Sequence, residues 1–235
     1  MILKLRSFFL AGFCLVFTCA LSQLNPIKEK SPLRYETQMN QFDSLNVIEK
    51  DNENSILFIG SSYIRKWTTI REDLDYNDII NRGFGGSNMN DVLYYIKRIA
   101  YPHQPKAIFI YVGNDITATE NDKKPMEVFK IYKNIVEVLR NKFPTIPITW
   151  LAIFPSEKRW AAWDKIQEVN NLINEYAITQ YNLYTINACS AFLGEDGSPR
   201  TFYYTEDKLH FNREGYKLWG RSISTQVREI AEKNK

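Results

Sequence analysis

In Ile56-Leu57-Phe58-Ile59-Gly60-Ser61-Ser62-Tyr63, four apolar residues run directly into a glycine and two serines. A short, unbroken apolar run that stops at a glycine predicts a strand buried on both faces, not an alternating surface strand. Similar runs, rich in Ile, Phe and Tyr, recur at 78–80, 108–112, 148–153 and 183–186. Between them lie segments with helical spacing of apolar residues, at 64–72, 88–99, 126–142, 161–180 and 212–233. The last carries Tyr216, Trp219, Ile223, Val227 and Ile230 along one stripe. Strand-helix alternation of this kind predicts an α/β fold, a parallel sheet with helices on both sides. Ligands of open α/β sheets bind beyond the carboxyl ends of the strands, so the loops after the apolar runs are where chemistry is expected.

The remainder of the chain sets bounds. Its 235 residues suit one domain, with 44% hydrophobic residues to fill a core. A formal charge of +3 is too small an excess to suggest a nucleic-acid partner. Lys4 and Arg6 precede an apolar run from Ser7 to Leu21 that ends in Ala20-Leu21-Ser22, with small residues where a signal peptidase reads. This layout predicts a signal peptide over 1–22, cleaved before Gln23, and a secreted or periplasmic protein. The run is short for a membrane span, and Phe17-Thr18 before Cys19 fit a lipoprotein signal poorly. Cleavage would remove Lys4 and Arg6, taking the charge from +3 to +1, and would leave Cys189 as the sole cysteine. Cys189 is therefore expected to be a buried thiol, not half of an intrachain disulfide. Residues 23–50 read as an N-terminal arm with Pro26 and Pro32, followed by an amphipathic helix carrying Phe42, Leu45, Val47 and Ile48. Residues 51–235 read as the main domain.

Three strand-end loops and one histidine carry the chemistry. Ser62 follows the first run on a tight strand-to-helix turn, a place that exposes a nucleophile and equally suits a helix cap. Gly83-Phe84-Gly85-Gly86-Ser87 follows the second run. Its glycines let backbone N–H groups approach an anion. A nucleotide-phosphate loop is the competing reading, but the glycine spacing after the first strand and the Walker lysine that it requires are both missing. Gly113-Asn114-Asp115 follows the third run, and an Asn amide can donate to an oxyanion or simply make a turn. Of the two histidines, His103 lies before the third run, at the amino end of the sheet. His210 lies in Asp207-Lys208-Leu209-His210, ahead of the final helix, with a carboxylate three residues back. Acyl transfer near neutral pH calls for an imidazole with a carboxylate partner, so Ser62, His210 and Asp207 form a coherent set.

Four blocks of this sequence together resemble the SGNH (GDSL-type) hydrolases, in that family's order and across 56–220. Phe58-Ile59-Gly60-Ser61-Ser62-Tyr63 is similar to the first block, Gly83-Phe84-Gly85-Gly86-Ser87 to the second, and Gly113-Asn114-Asp115 to the third. Asp207-Lys208-Leu209-His210-Phe211 is similar to the fifth. The resemblance implies Ser62 as nucleophile, His210 as base and Asp207 as its orienting partner. It also implies Gly86 (with Gly85 as the alternative) and Asn114 as oxyanion-hole donors. Ser61 stands where the family often has Asp; the subset similar to platelet-activating-factor acetylhydrolases also carries Ser there. Val112 stands at the first position of the usual Gly-x-Asn-Asp block. The implied architecture is a three-layer α/β/α, flavodoxin-like fold around a five-stranded parallel sheet.

The implied activity is hydrolysis of carboxylic esters, short-chain acyl or O-acetyl, with neither metal nor cofactor. No His/Cys/Asp cluster has zinc spacing. Arg159 and Trp160, in the loop after the fourth run, are candidate substrate contacts, and Trp faces suit sugar rings. The same aromatics could instead open a helix and pack on the core. Expected partners are thus a small-molecule or glycan ester, with neither nucleic acid nor a membrane span in the mature chain. A lysophospholipid or other lipid ester is the alternative substrate. A carbohydrate-binding protein without catalysis is the alternative of another class.

Overall fold

The computed structural model describes residues 30–49, 53 and 55–232. The predicted signal peptide lies outside the described residues. Five strands, β1 (Ile56–Gly60), β2 (Ile79–Gly83), β3 (Ala107–Tyr111), β4 (Ile148–Leu151) and β5 (Leu183–Ile186), form one sheet in the order β2-β1-β3-β4-β5. Every pairing is parallel. Each of the first four strands is joined to the next by a helical crossover, which parallel neighbours require. The helices are α1 (Glu36–Glu49), α2 (Ser62–Lys66), α3 (Ile70–Leu74), α4 (Met89–Ala100), α5 (Pro125–Lys142), α6 (Trp163–Ala177) and α7 (Arg213–Glu232). On one face α4 packs on α5 and α5 on α6, with α1 outside against α4; α3 and α7 pair on the other.

All residues of β1 and β3 are buried, which is why both read as continuous apolar runs. Phe58 and Phe109, register partners on these strands, stack at 4.8 Å between ring centroids. Below them Trp67 stacks on Trp219 of α7 at 4.6 Å. The single helix expected over 64–72 is instead two, α2 and α3. Trp67 turns into the core at 1% exposure, and its indole N–H and the Thr69 hydroxyl both donate to Asp73, at 2.8 and 2.7 Å. Keeping the indole with Trp219 and Tyr216 requires the helix to break there. The run at 183–186 is an edge strand with only Leu183 buried, not a strand covered on both faces. The fourth strand stops at Leu151, short of the expected 153.

Residues 31–49 dock on the domain. Met39 and Phe42 join the main core. The Arg98 guanidinium of α4 meets Glu36 at 2.7 Å and Asp43 at 2.6 Å, and the Tyr95 hydroxyl donates to Glu36 at 2.6 Å. Upstream of α1, Arg34 pairs with Asp91 at 2.5 Å. Asp91 also completes a capping box with Asn88 at the start of α4.

His103 sits at the amino end of β3, buried, with neither ring nitrogen partnered among the described residues. Burial, with the Arg82 charge adding to it, pushes its pKa down to about 4. The unfolded chain would bind that proton near pH 6.5. Between these values the unfolded state holds more protons than the native state, so stability falls as pH drops from about 6.5 to about 4. His103→Leu is expected to flatten this part of the stability profile, by about 2 kcal/mol or more at its acid end. Urea unfolding at pH 7 and 4.5 checks it, and equal slopes in parent and variant would refute it.

Candidate active site

The strand order reverses between β1 and β3, and a crevice opens at such a switch point. Gly60 closes β1 where the chains are tightest, since a Cβ there would stand 2.0 Å from the Tyr111 carbonyl oxygen. Ser61 N–H donates to that same carbonyl at 3.0 Å, which ties the end of β1 to β3. Ser62 follows at the first position of α2, 8% exposed.

The Ser62 hydroxyl lies 2.8 Å from His210 Nε2, and His210 Nδ1 lies 2.6 Å from Asp207 Oδ2. These contacts bring together residues 148 positions apart in sequence. The other oxygen of Asp207 accepts from Leu209 N–H and His210 N–H, each at 2.9 Å, and from the Thr205 hydroxyl at 2.8 Å. Burial acts to raise the Asp207 pKa, but the His210 ring and these three donors outweigh it and hold the carboxyl well below the usual range. An ionised Asp207 makes Nδ1 the protonated nitrogen, which leaves Nε2 free to accept from Ser62.

The loop bearing His210 is held from several sides. Thr205 N–H donates to the His210 carbonyl at 2.8 Å, and Lys208 takes a positive φ of 57° to close the turn. The Tyr63 hydroxyl donates to the Leu209 carbonyl, and the Tyr204 hydroxyl to the Pro155 carbonyl. Lys158 N–H reaches the Lys208 carbonyl at 3.1 Å, and Lys208 pairs with Glu157. The loops after β4 and before α7 are thereby laced together. Behind them Tyr63, Phe154, Phe192, Phe211 and Trp219 form one aromatic cluster.

The second and third strand-end loops meet each other, and Phe84 N–H donates to the Gly60 carbonyl at 2.9 Å, which ties the second loop to the end of β1. Asn114 Nδ2 donates to the Ser87 carbonyl at 2.9 Å, and Asp115 accepts from Met89 N–H at the start of α4 at 2.9 Å. Gly86 has φ 81°, a conformation that favours glycine. The Gly85 carbonyl accepts from the Tyr35 hydroxyl at 3.3 Å, and Tyr35 packs edge-on against Phe84 at 5.0 Å. Because the trans peptide places C=O and N–H on opposite sides, the Gly86 N–H points away from Tyr35.

Arg159 is buried at 6% exposure, and its guanidinium donates to the Gly113 carbonyl and to Asn114 Oδ1, each at 2.5 Å. Trp160 is 38% exposed and stacks on Trp163, with ring planes 16° apart. Trp163 opens α6 and is buried. Cys189 is buried, and burial pushes its thiol up to about 12. Among the described residues, no three His, Cys, Asp or Glu side chains are grouped as a metal would need. No helix among them is long and apolar enough to cross a membrane.

Sequence reasoning missed the clamp of Arg159 on Asn114 and the roles of Thr205, Tyr63 and Tyr35. A Ser or Thr two residues before an Asp is a weak local signal that could have found Thr205. The others act across 45 or more positions, and no local pattern marks them.

Residues 60–218 match the GDSL-like lipase/acylhydrolase family, well over half of the chain. The protein is a member of this family. It is thus a hydrolase, with the α/β fold that the SGNH hydrolases share. No curated protein sequence matches the chain. Among solved structures, a GDSL-like lipase from Bacteroides thetaiotaomicron superposes with a TM-score of 0.68 at 20% identity, over 81% of this chain and 97% of that one. A carbohydrate esterase family 3 protein from Talaromyces cellulolyticus gives 0.60 at 14% identity, over 77% and 99%. An acetyl xylan esterase gives 0.58 at 18% identity, over 74% and 99%. At these identities the likeness is one of fold.

Proposed function

We propose that this GDSL-family hydrolase is an exported serine esterase that removes short acyl groups, O-acetyl foremost, from carbohydrate. One observation carries the catalytic part: Ser62 Oγ, His210 and Asp207 are linked through contacts of 2.8 and 2.6 Å, and an ionised Asp207 at Nδ1 selects the tautomer a general base needs. His210 takes the Ser62 proton as Oγ attacks the ester carbonyl. The C–O bond to the alcohol breaks as His210 returns that proton to the leaving oxygen. Water, deprotonated by His210, then cleaves the acyl-enzyme and frees Ser62. The oxyanion of each tetrahedral intermediate is held by the N–H groups of Ser62 and Gly86 and by the Asn114 amide. None of these backbone N–H groups has a protein acceptor among the described residues. Export is supported by the basic residues, apolar run and small-residue cleavage site of 1–22.

The carbohydrate part rests on Trp160. It presents a half-open indole backed by Trp163, one residue from the Arg159 that touches Asn114. A flat aromatic face of this kind suits a sugar ring. Fold likeness to an acetyl xylan esterase supports the same substrate class. Purified protein is expected to hydrolyse an aryl acetate faster than an aryl octanoate and to release acetate from acetylated xylan. Trp160→Ala should raise KM on the glycan by about tenfold and leave the aryl acetate within about twofold. Faster turnover of a lysophospholipid, with Trp160→Ala neutral on glycan, would overturn the substrate assignment in favour of a lipid ester.

A further inference from the structure

Arg159 carries a charge into the interior with no carboxylate partner among the described residues. Burying a cation without a counter-ion is costly, so the groups that accept its hydrogen bonds must offset that cost. Its two donated hydrogen bonds both go to the Gly113-Asn114 loop. We infer that Arg159 is a positioning residue for the oxyanion site, fixing and polarising the Asn114 side-chain amide so that Nδ2 donates to the reacting carbonyl oxygen. This rests on the esterase reading above for the identity of that oxygen.

An Asn amide is nearly symmetric in shape, and its oxygen and nitrogen exchange places by a rotation about one bond. Only the partners on each side decide which end faces which way. The Arg159 guanidinium can donate but cannot accept, so it admits only the oxygen on its side. The Ser87 carbonyl can accept but cannot donate, so it admits only the nitrogen, at 2.9 Å. One Nδ2 hydrogen is thereby spent on Ser87 and the second is left without a protein acceptor among the described residues. A cationic donor on Oδ1 also draws electron density from the amide, which makes the remaining N–H a stronger donor. In a site that excludes water such a preoriented donor acts with little reorganisation. The bond to the Gly113 carbonyl fixes the backbone of the same loop, so side chain and main chain are held by one guanidinium.

A double-mutant cycle on aryl acetate hydrolysis tests this. Asn114→Ala is expected to lower kcat by about 10²–10³. Arg159→Met should lower it by about 30- to 100-fold with KM within about twofold. The double variant should be no slower than Asn114→Ala beyond about threefold, because Arg159 acts through Asn114. Losses that multiply would overturn the proposal, as would a raised KM at unchanged kcat, which would make Arg159 a direct substrate contact. Arg159→Lys retains the charge and one donor, and should fall between parent and Met; it carries the cycle if the Met variant does not fold. The Asn114 side-chain amide protons, followed by NMR without substrate, should move upfield in the variant. Unmoved resonances would refute the polarisation whatever the activity. A shift in a protein with no Ser62-dependent turnover would instead leave Arg159 in place and remove the esterase reading.

Discussion

Replacing Ser62 with alanine is expected to lower ester turnover by about 10⁵- to 10⁶-fold. The loss is large because, in the mechanism proposed, Ser62 and His210 act as one unit. Without Oγ, the imidazole at 2.8 Å has no attached acyl acceptor to deprotonate and can only assist a loosely held water. The donors proposed for the oxyanion are backbone and Asn114 groups that the substitution leaves untouched, so a residual rate above solution and a nearly unchanged KM are expected. Stability should change little, because among the described residues the Ser62 hydroxyl has a single side-chain partner, and Ala suits the first turn of α2. The comparison is steady-state hydrolysis of an aryl acetate beside covalent labelling by an organophosphonate, with mass analysis of the labelled peptide. Rates within tenfold of the parent, or a label on another residue, would take Ser62 out of the mechanism.

Asp207→Asn should cost about 10³- to 10⁴-fold in kcat, although it changes one atom and no shape. Asp207 Oδ1 already accepts from Thr205, Leu209 and His210. An Asn would keep its oxygen against those three donors and turn its NH₂ toward His210 Nδ1. Nδ1 would then have to accept, the ring proton would move to Nε2, and Nε2 could no longer take the Ser62 proton. Imidazole nitrogen NMR reads this directly, with the proton on Nδ1 in the parent and on Nε2 in the variant. KM should hold, since the residue touches no substrate. A tautomer unchanged by the substitution, or a loss under tenfold, would show that Asp207 does not orient His210. Because the Asp207 carboxyl is held well below its usual range, it stays ionised through mild acid. An acid limb in the activity profile would therefore not be its titration.

The layers of the fold were legible because burial leaves a local mark. A strand covered on both faces must be apolar throughout, as β1 and β3 are. Where burial was incomplete the reading slipped. β5 looked like the others but sits at the sheet edge, and the Trp67 break was hidden because its partners Tyr216 and Trp219 lie about 150 residues away. The candidate site divides in the same way. Ser62, Asp207 and His210 could be named from residue type and from loops that follow apolar runs. The loop from Thr205 to His210 is nearly self-contained, and its Asp-x-x-His spacing allowed the observed contact.

Arg159 could be set beside the site as a candidate substrate contact, but its partner Asn114 and the role of Tyr35 could not be read by such reasoning. An arginine after a strand and a tyrosine in an arm are ordinary residues until another segment arrives beside them. The sequence by itself determined the alternation of elements, the loops that carry reactive groups and the types of group available, since each follows from local burial and backbone preference. Tertiary structure alone decided that His210 reaches Ser62 and that Tyr35 meets the Gly85 carbonyl. It alone decided, too, that a buried guanidinium meets the Asn114 side-chain oxygen. Those outcomes depend on distances of a few ångströms between segments that share no local signal, and only packing sets them.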